Sequence, residues 1–380
     1  MTGRSLRLVV LGLSLSSSWG NGHATTYRAL LRAFAKRGHS VMFLERDQPW
    51  YAAHRDLADP DFCELVFYHD LAGLDAHRDR IAAADAVIVG SYVPNGVAVG
   101  RCVQRTARGV TAFYDIDTPV TLGKLETGDF EYLSPDLIPD YDLYLSFTGG
   151  PTLDVLMRQY GAPLARALYC CVDPEVCRPT ATRVRYDLGY LGTYSPDRQP
   201  ALDRLLIEPA RRAPHLKFIV AGPQYPRDIV WPDNVLLVEH IPPSRHGAFY
   251  ASCRFTLNVT RADMIRAGYS PSVRLFEAAA CGTPIISDVW EGLERFFAPG
   301  REIVLARTAQ DVLAALTVMD SGEAQALSRA ARRRVLAQHA AEKRACELEG
   351  HLVQAIATAA EAPAASEQNS LNQQAFQAFG

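Results

Sequence analysis

The sequence predicts an α/β protein of two doubly wound domains, each a parallel sheet covered by helices on both faces. Apolar runs of strand length alternate with helical patterns almost from end to end. The alternation stops near residue 178, in a stretch rich in proline and polar residues, and then starts again. A chain of 380 residues also suits two hydrophobic cores better than one. We therefore expect a first domain over 1–178, a second over 179–338, a helix over 339–362 and a disordered tail over 363–380.

The apolar runs of the first domain predict strands at Leu6–Ser14, Ser40–Arg46, Cys63–Tyr68, Asp85–Tyr92, Val110–Asp115, Leu143–Thr148 and Ala167–Val172. Those of the second domain predict strands at Leu188–Gly192, Leu216–Ala221, Val235–Val238, Phe255–Val259, Pro284–Ser287 and Ile303–Leu305. The clearest helix runs from about His23 to Arg37 and ends at Gly38, because glycine adopts a left-handed C-terminal cap without a Cβ penalty. Two such domains would bind a ligand in the cleft between them, at the carboxyl ends of both sheets.

Composition and charge argue against several classes of protein. A formal net charge of −3 provides no basic surface for nucleic acid or anionic lipid, so local groups would have to hold any polyanionic ligand. No apolar run approaches the ~20 residues that span a membrane. Eight cysteines are scattered without a C-x-x-C pair, which favours reduced thiols in a cytoplasmic protein. Arg4, Arg7 and the apolar residues after them resemble a short signal peptide, but no A-x-A cleavage site follows, so we favour a buried first strand.

The loop after the first predicted strand contains Gly20, Asn21, Gly22 and His23. Glycines permit close backbone approach, and the N-terminus of the following helix offers unpaired N–H groups to an anion or a sugar oxygen. The loop matches neither G-x-G-x-x-G nor a Walker sequence, so it does not indicate dinucleotide or ATP binding. A tight strand-to-helix turn without a ligand explains the pattern equally well.

Asp115 and Asp117 stand at the end of another predicted strand, separated by one residue. Two such carboxylates could hold Mn²⁺ or Mg²⁺ together with a sugar nucleotide, whereas a single strand-end carboxylate in a cleft suits general base catalysis. Thr118 and Pro119 could also simply turn the chain there. We favour Asp117 as a base or substrate contact, with His23 as the second candidate, and predict no metal site.

The most informative segment of the chain runs from Tyr269 to Pro284. Ser270 at the N-cap, Pro271 as the first helical residue and Gly282 after the end predict a short helix. Small residues fill the second half of this helix, which by itself is typical of ordinary packing against a strand.

The first turn of this helix predicts a site for an anion. Ser272, Arg274 and the free backbone N–H groups around Val273 could bind a diphosphate. Glu277 lies five residues beyond Ser272, about 7.5 Å further along the helix axis, which suits a carboxylate that accepts from ribose hydroxyls. Alternatively, Glu277 pairs only with Arg274 one turn away, an interaction worth a few tenths of a kcal/mol.

Three segments at strand ends of the second domain are expected to face the same cleft. They contain Gly192, Thr193, Tyr194, Gly222, His240 and Ile241. Each segment alone is a turn. Together they would form a ring of backbone donors with few obligatory side chains, as a wall for adenine, uracil or thymine requires.

Several of these segments resemble known enzymes. Arg274–Ile286 is similar to the donor-binding segment of glycosyltransferases of the GT-B architecture, and Gly20–His23 with Arg37–Val41 resembles their acceptor domain. Three further segments resemble the narrower spore-maturation, CgeB-type glycosyltransferases: Asp115–Pro119, Phe147–Pro151 and Ser272–Glu277. The resemblance covers about residues 6–355 and implies two Rossmann-like domains that face each other across a cleft.

The resemblance also implies roles for individual residues. Glu277 would bind the donor ribose, Ser272 and Arg274 the diphosphate, and Gly192–Tyr194 the phosphate or the sugar. Many retaining GT-B enzymes carry a second glutamate eight residues before the first, where this chain has Tyr269. That departure leaves the donor sugar and the stereochemical course open.

Thr148 and Gly149, in one of the CgeB-type segments, are expected on the acceptor or sugar side together with the glycine loop. The combined pattern predicts a metal-independent glycosyltransferase without a cofactor. It would move a sugar from UDP, TDP or GDP to a hydroxyl of a protein, polysaccharide or small molecule. We expect no nucleic-acid partner and no transmembrane segment. Two alternatives stay open: a nucleotide-sugar epimerase of the same fold, and a non-catalytic protein that binds a nucleotide sugar.

Overall fold

The structure is a computed structural model and describes residues 4–20 and 22–361. It contains two parallel sheets, which confirm the predicted α/β class. The first sheet consists of β1 (Arg7–Gly12), β2 (Ser40–Arg46), β3 (Glu64–Tyr68), β4 (Ala86–Gly90), β5 (Val110–Asp115), β6 (Leu143–Ser146) and β7 (Ala165–Ala167), in the order β3-β2-β1-β4-β5-β6-β7. The second consists of β8 (Tyr186–Leu191), β9 (Phe218–Ala221), β10 (Val235–Val238), β11 (Cys253–Asn258), β12 (Ile285–Ser287) and β13 (Val304–Leu305), in the order β10-β9-β8-β11-β12-β13.

Helices cover both faces of each sheet. Those of the first domain are α1 (Gly22–Lys36), α2 (Pro49–Ala52), α3 (Leu71–Asp75), α4 (Arg78–Ala83), α5 (Gly96–Thr106), α6 (Thr118–Glu126) and α7 (Pro151–Arg158). Those that follow are α8 (Gln199–Leu202), α9 (Glu208–Arg212), α10 (His246–Ala251), α11 (Ala262–Ala267), α12 (Val273–Ala280), α13 (Ala309–Thr317), α14 (Ser321–Gln338) and α15 (Ala341–Glu361). Because helices lie on both faces, the central strand β4 is apolar throughout, and every one of its residues is buried.

Each sheet reverses its strand order at one point, between β1 and β4 in the first and between β8 and β11 in the second. The connections after these strands leave in opposite directions, which opens a crevice at the carboxyl edge of the sheet. The loops after β1, β5, β8, β9 and β11 all reach one cavity between the two sheets. The predicted location of the ligand cleft therefore agrees with the structure.

The predicted position of the seventh strand is wrong. β7 occupies Ala165–Ala167, and the apolar residues after it leave the sheet. Cys170 and Cys171 are fully buried, and Val172 forms an isolated parallel bridge with Ala340 near the C-terminal helix. These apolar residues pack against the C-terminal part of the chain and not within the sheet. A prediction based on their hydrophobicity alone therefore placed the strand too late in the sequence.

The predicted start of the donor-side helix is also wrong. α12 begins at Val273, with Ser272 in the N-cap position, rather than at Pro271. Ser270 lies two residues before the N-cap, and its hydroxyl accepts a hydrogen bond from Thr148 of the first domain at 2.8 Å. The predicted end agrees, since Gly282 follows α12 with a φ of +76°.

The C-terminal helix α15 returns to the first domain and packs against α1, where Arg37 forms an ion pair with Glu349. α1 itself ends before Gly38, whose φ of +93° matches the predicted left-handed cap. Within residues 4–20 and 22–361, no helix is both long and apolar enough to cross a membrane. The tail predicted over 363–380 lies outside the described residues.

Candidate active site

A cavity of about 560 Å³ lies between the carboxyl edges of the two sheets, with walls from both domains. Most of the residues predicted for the site line it: Gly20, Gly22, His23, Asp117, Gly192, Thr193, Tyr194, Gly222, His240, Ile241, Ser272, Val273, Arg274 and Glu277. Asn21 lies outside the described residues. The cavity is large enough for a small-molecule substrate.

Glu277, on α12, is held by two side chains of α10. Its Oε2 lies 3.3 Å from His246 Nδ1 and accepts a hydrogen bond of 3.3 Å from the Tyr250 hydroxyl. The Glu277 side chain is only 4% exposed, so its orientation is set by these partners. Among the ion pairs of the described residues, none joins Glu277 to Arg274, and the simple helix-surface pair considered above does not form.

His246 is well placed to be charged beside this carboxylate. Burial alone would lower its pKa, but the Glu277 carboxylate and the Ile241 carbonyl outweigh that effect, so the pKa of His246 is raised above its usual value. Its Nε2 lies 3.2 Å from the Ile241 carbonyl oxygen, which places one acceptor at each ring nitrogen. Through these two contacts, the His246 ring orients the Glu277 carboxylate and holds the loop that contains Ile241.

Arg274, one turn before Glu277, has its guanidinium fixed on three sides. Nε donates to the Leu191 carbonyl, Nη1 donates to Asn258 Oδ1 at 3.0 Å, and the group lies 4.8 Å from the centre of the Tyr190 ring. The Ser272 hydroxyl donates to the same Asn258 oxygen at 2.7 Å. A guanidinium has five N–H donors, so donors remain for an anion at the start of α12.

The loops after β8 and β9 approach each other closely on one wall of the cavity. Gly222 has a φ of +155°, and a side chain there would collide with the backbone of Gly192. The Tyr225 hydroxyl donates to the Gly192 carbonyl at 3.0 Å, and its ring lies 5.7 Å from that of Tyr194. Burial and the neighbouring His246 lower the pKa of His240 on the same wall. The two loops therefore form one wall of the cavity, with Arg198 and Arg274 beside it.

Asp117 lies on the opposite side of the cavity, where the two domains meet. Its Oδ2 accepts a hydrogen bond of 3.3 Å from the Tyr92 hydroxyl and lies 3.8 Å from His23 Nε2. Arg261 of the second domain places Nη1 3.8 Å from the same oxygen and Nε 3.7 Å from Asp197 Oδ2. The Asp117 carboxylate is 20% exposed and can therefore meet a substrate hydroxyl.

Asp115 has a structural role that the sequence could not separate from that of Asp117. It is fully buried and accepts hydrogen bonds from Thr121 Oγ1 at 2.8 Å, Tyr144 Oη at 2.6 Å and the Asp117 backbone N–H at 3.2 Å. Burial raises its pKa to about 6, although these hydrogen bonds oppose that shift. The two carboxylates thus do not face a common ligand. In residues 4–20 and 22–361, no group of three or more His, Cys, Asp or Glu side chains is arranged to hold a metal ion.

Thr148 and Gly149 were predicted on the acceptor or sugar side, and they lie in the first domain at its contact with the second. They do not line the cavity but join the two domains: Thr148 donates to the Ser270 hydroxyl, and the Gly149 N–H donates to the Tyr269 carbonyl at 3.1 Å. Tyr269, at the position of the second glutamate of retaining enzymes, has a φ of +48° and packs against Gly150. The Tyr269 side chain therefore serves the domain contact and does not line the cavity.

Several residues of the site were missed from the sequence. Asn258 is the last residue of β11, and Arg261 lies in the loop after it and lines the cavity, so extending the reasoning about strand ends to β11 would have found both. Arg198 lines the cavity and donates to the Thr193 carbonyl at 2.7 Å. His246 and Tyr250 reach Glu277 only through the packing of α10 against α12, and no local pattern in the sequence indicates that.

Comparisons with known proteins support a glycosyltransferase fold for this chain. The model of a family described as "Glycosyl transferase-like" matches residues 198–350, which carry the predicted donor side. No curated protein has a sequence that matches the chain.

Several solved structures share the fold over 92–93% of this chain. Sucrose-phosphate synthase from Thermosynechococcus elongatus is 15% identical, with 93% of this chain and 100% of that chain aligned and a TM-score of 0.66. HepE of Anabaena, in complex with UDP-glucose, is 12% identical, with 92% and 100% aligned and a TM-score of 0.66. An α-glucosyltransferase in complex with UDP and a 13-mer DNA is 13% identical, with 92% and 100% aligned and a TM-score of 0.68. The fold is thus that of the GT-B glycosyltransferases, and the findings together support glycosyltransferase activity.

Proposed function

We propose that the protein transfers a sugar from a nucleoside diphosphate to a hydroxyl acceptor. The observation that carries this proposal is the arrangement around α12. Glu277 is oriented by buried partners toward the cavity, and Arg274 and Ser272 are fixed at the helix N-terminus beside it. A ribose on Glu277 and a diphosphate at the start of α12 would be parts of one nucleotide, and we expect its base against the wall formed by the loops of Gly192 and Gly222.

The chemistry then rests on the leaving diphosphate. The positive end of the α12 dipole, Arg274 and the backbone N–H groups around Val273 would stabilise the charge that develops on it. Arg198 and Arg261 line the same cavity and add two further cations. This supports a reaction that does not require a metal ion. UDP is favoured as the nucleotide because HepE and the α-glucosyltransferase were solved with it.

The acceptor hydroxyl would lie beside Asp117 on the first domain. If the configuration at the sugar is inverted, this carboxylate can take the proton of the hydroxyl, with Tyr92 and His23 orienting it. Two of the segments that resemble CgeB-type enzymes contain Asp117 and the first residues of α12. We therefore propose that the protein is related to that family. The cysteines of the described residues are free thiols, and most are buried, which is consistent with a reducing cytoplasm.

A thermal-shift panel of UDP-, TDP- and GDP-sugars tests donor binding directly, because a ligand that binds only the native state raises its stability by mass action. We expect a UDP-sugar to raise Tm and the Glu277→Ala variant to lose the shift. Glu294→Gln, an exposed carboxylate outside the cavity, is the matched control and should keep it. Transfer of labelled sugar to an acceptor must follow. Donor binding without transfer or hydrolysis would instead indicate a binding protein, and an epimerised donor would indicate an epimerase.

A further inference from the structure

Four aromatic side chains of the first domain lie in two neighbouring pairs at the mouth of the cavity. We call Trp19, Trp50, Tyr51 and His54 the aromatic rim. Tyr51 lines the cavity, and its ring centre lies 6.0 Å from that of Trp50, which is 53% exposed. Trp19 packs on His54 with ring centres 4.6 Å apart and the ring planes inclined by 31°. The two ring pairs are linked through His54, whose Nδ1 lies 3.1 Å from the Trp50 carbonyl oxygen, and the Trp50–Tyr51 pair extends from the cavity to the outer surface.

The backbone beneath the aromatic rim is well anchored. His54 Nδ1 lies 3.1 Å from the Trp50 carbonyl oxygen, and the His54 carbonyl accepts from the Ser17 hydroxyl at 2.9 Å. Arg55 then pairs with Asp47 at 2.6 Å across the base of the same loop. A ligand that met these rings would find them already in place, which lowers the entropy cost of binding.

Packing does not explain the exposure of Trp50. An indole ring is one of the largest apolar groups a protein can bury, yet about half of this one faces solvent, next to the exposed Ala52 and Ala53. Exposed aromatic surface at the edge of a pocket is typical of ligand recognition. The flat face of an indole ring matches the C–H face of a sugar ring, and the polar groups around it can meet the hydroxyls at the edge of that ring.

The charge near the aromatic rim indicates which kind of sugar would fit. The two arginines next to the aromatic rim are both paired, Arg55 with Asp47 and Arg28 with Asp56, so neither is free to bind an anionic acceptor. Tyr51 of the aromatic rim and His240 of the second domain line the same cavity. The rim thus faces the nucleotide-binding wall across the cleft, as an acceptor subsite must.

We propose that the aromatic rim is the acceptor subsite and that it binds a neutral glycan, with a sugar ring stacked on Trp50 and the chain leading past Tyr51 into the cavity. This inference rests on the proposed function and names its acceptor class. Trp50 is a specificity residue in this account, because it contacts the acceptor away from the reacting hydroxyl.

The test compares wild type, Trp50→Ala, Trp50→Phe and Phe130→Ala on an array of neutral and acidic glycans, with UDP affinity measured in parallel. Phe130 is a matched control, since it is an exposed aromatic residue of the same domain outside the cavity. Wild type should bind neutral glycans in preference to acidic ones. Trp50→Ala should weaken that binding by about tenfold, the scale of one aromatic contact. Trp50→Phe should recover most of it, and Phe130→Ala should match wild type.

The outcomes separate this inference from the function on which it rests. UDP affinity should stay within about twofold of wild type in all three variants. The inference is overturned if wild type binds UDP but no neutral glycan, if acidic glycans bind more tightly, or if Trp50→Ala binds glycans as wild type does. Failure of wild type to bind any nucleotide or nucleotide sugar would instead count against the proposed function.

Discussion

Replacement of Glu277 by glutamine is the most direct test of the donor site. The change keeps the volume of the side chain but removes the charge that faces His246 and the Tyr250 hydroxyl, both at 3.3 Å. A hydrogen bond to a charged group contributes about 1.5–3 kcal/mol, so loss of the charged ribose acceptor should weaken donor binding about 10- to 150-fold.

The same substitution also affects stability, and the two effects must be measured apart. Removal of one partner from a buried ion pair can cost 3–5 kcal/mol, but His246 can lose its proton and keep the Ile241 carbonyl as a partner. We therefore expect a smaller loss of about 1–3 kcal/mol, with the fold retained. Urea unfolding gives this value, and calorimetric titration with UDP-glucose gives the donor affinity.

The control for this experiment is Glu294→Gln, which removes an exposed carboxylate of the same domain and should change neither quantity. If the folded Glu277→Gln protein bound UDP-glucose as tightly as wild type, the ribose role of Glu277 would be refuted. Loss of binding together with loss of the fold is resolved by repeating the titration at a temperature where unfolding is negligible.

Three further predictions concern the acceptor side, the metal and pH. Asp117→Asn should keep donor affinity and Tm but lower transfer by at least about a hundredfold, since loss of a general base costs on the order of 10²–10⁴ in rate; near-normal turnover in the folded variant would leave His23 as the next candidate. Transfer should persist in EDTA, because Arg274 and the α12 dipole stabilise the leaving group; full loss restored by Mn²⁺ would show that a metal takes part. The raised pKa of His246 makes its charged pair with Glu277 fully stabilising below about pH 6.5, and that contribution should disappear as pH rises through the raised pKa. Urea unfolding across that pH range should show the decline in wild type and a weaker decline in His246→Gln.

The sequence by itself determined the class of fold and the general position of the site. Alternating apolar runs and helical patterns placed the strands of both sheets, with one real error at β7, because burial on both faces of a parallel sheet leaves a clear pattern. Parallel strands share one carboxyl edge, so the loops around Gly192, Gly222 and Asp117 could be assigned to a common cleft without knowledge of the contacts.

Only the tertiary structure decided which side chains act together. His246 meets Glu277, and Arg261 meets Asp117, across separations of 31 and 144 positions in the chain. Asp115 and Asp117 look alike in sequence, yet only the latter lines the cavity. Such pairings depend on how helices pack and how the domains meet, and neither leaves a local periodicity in the sequence. That is the physical reason why the strands could be predicted while the partners within the site could not.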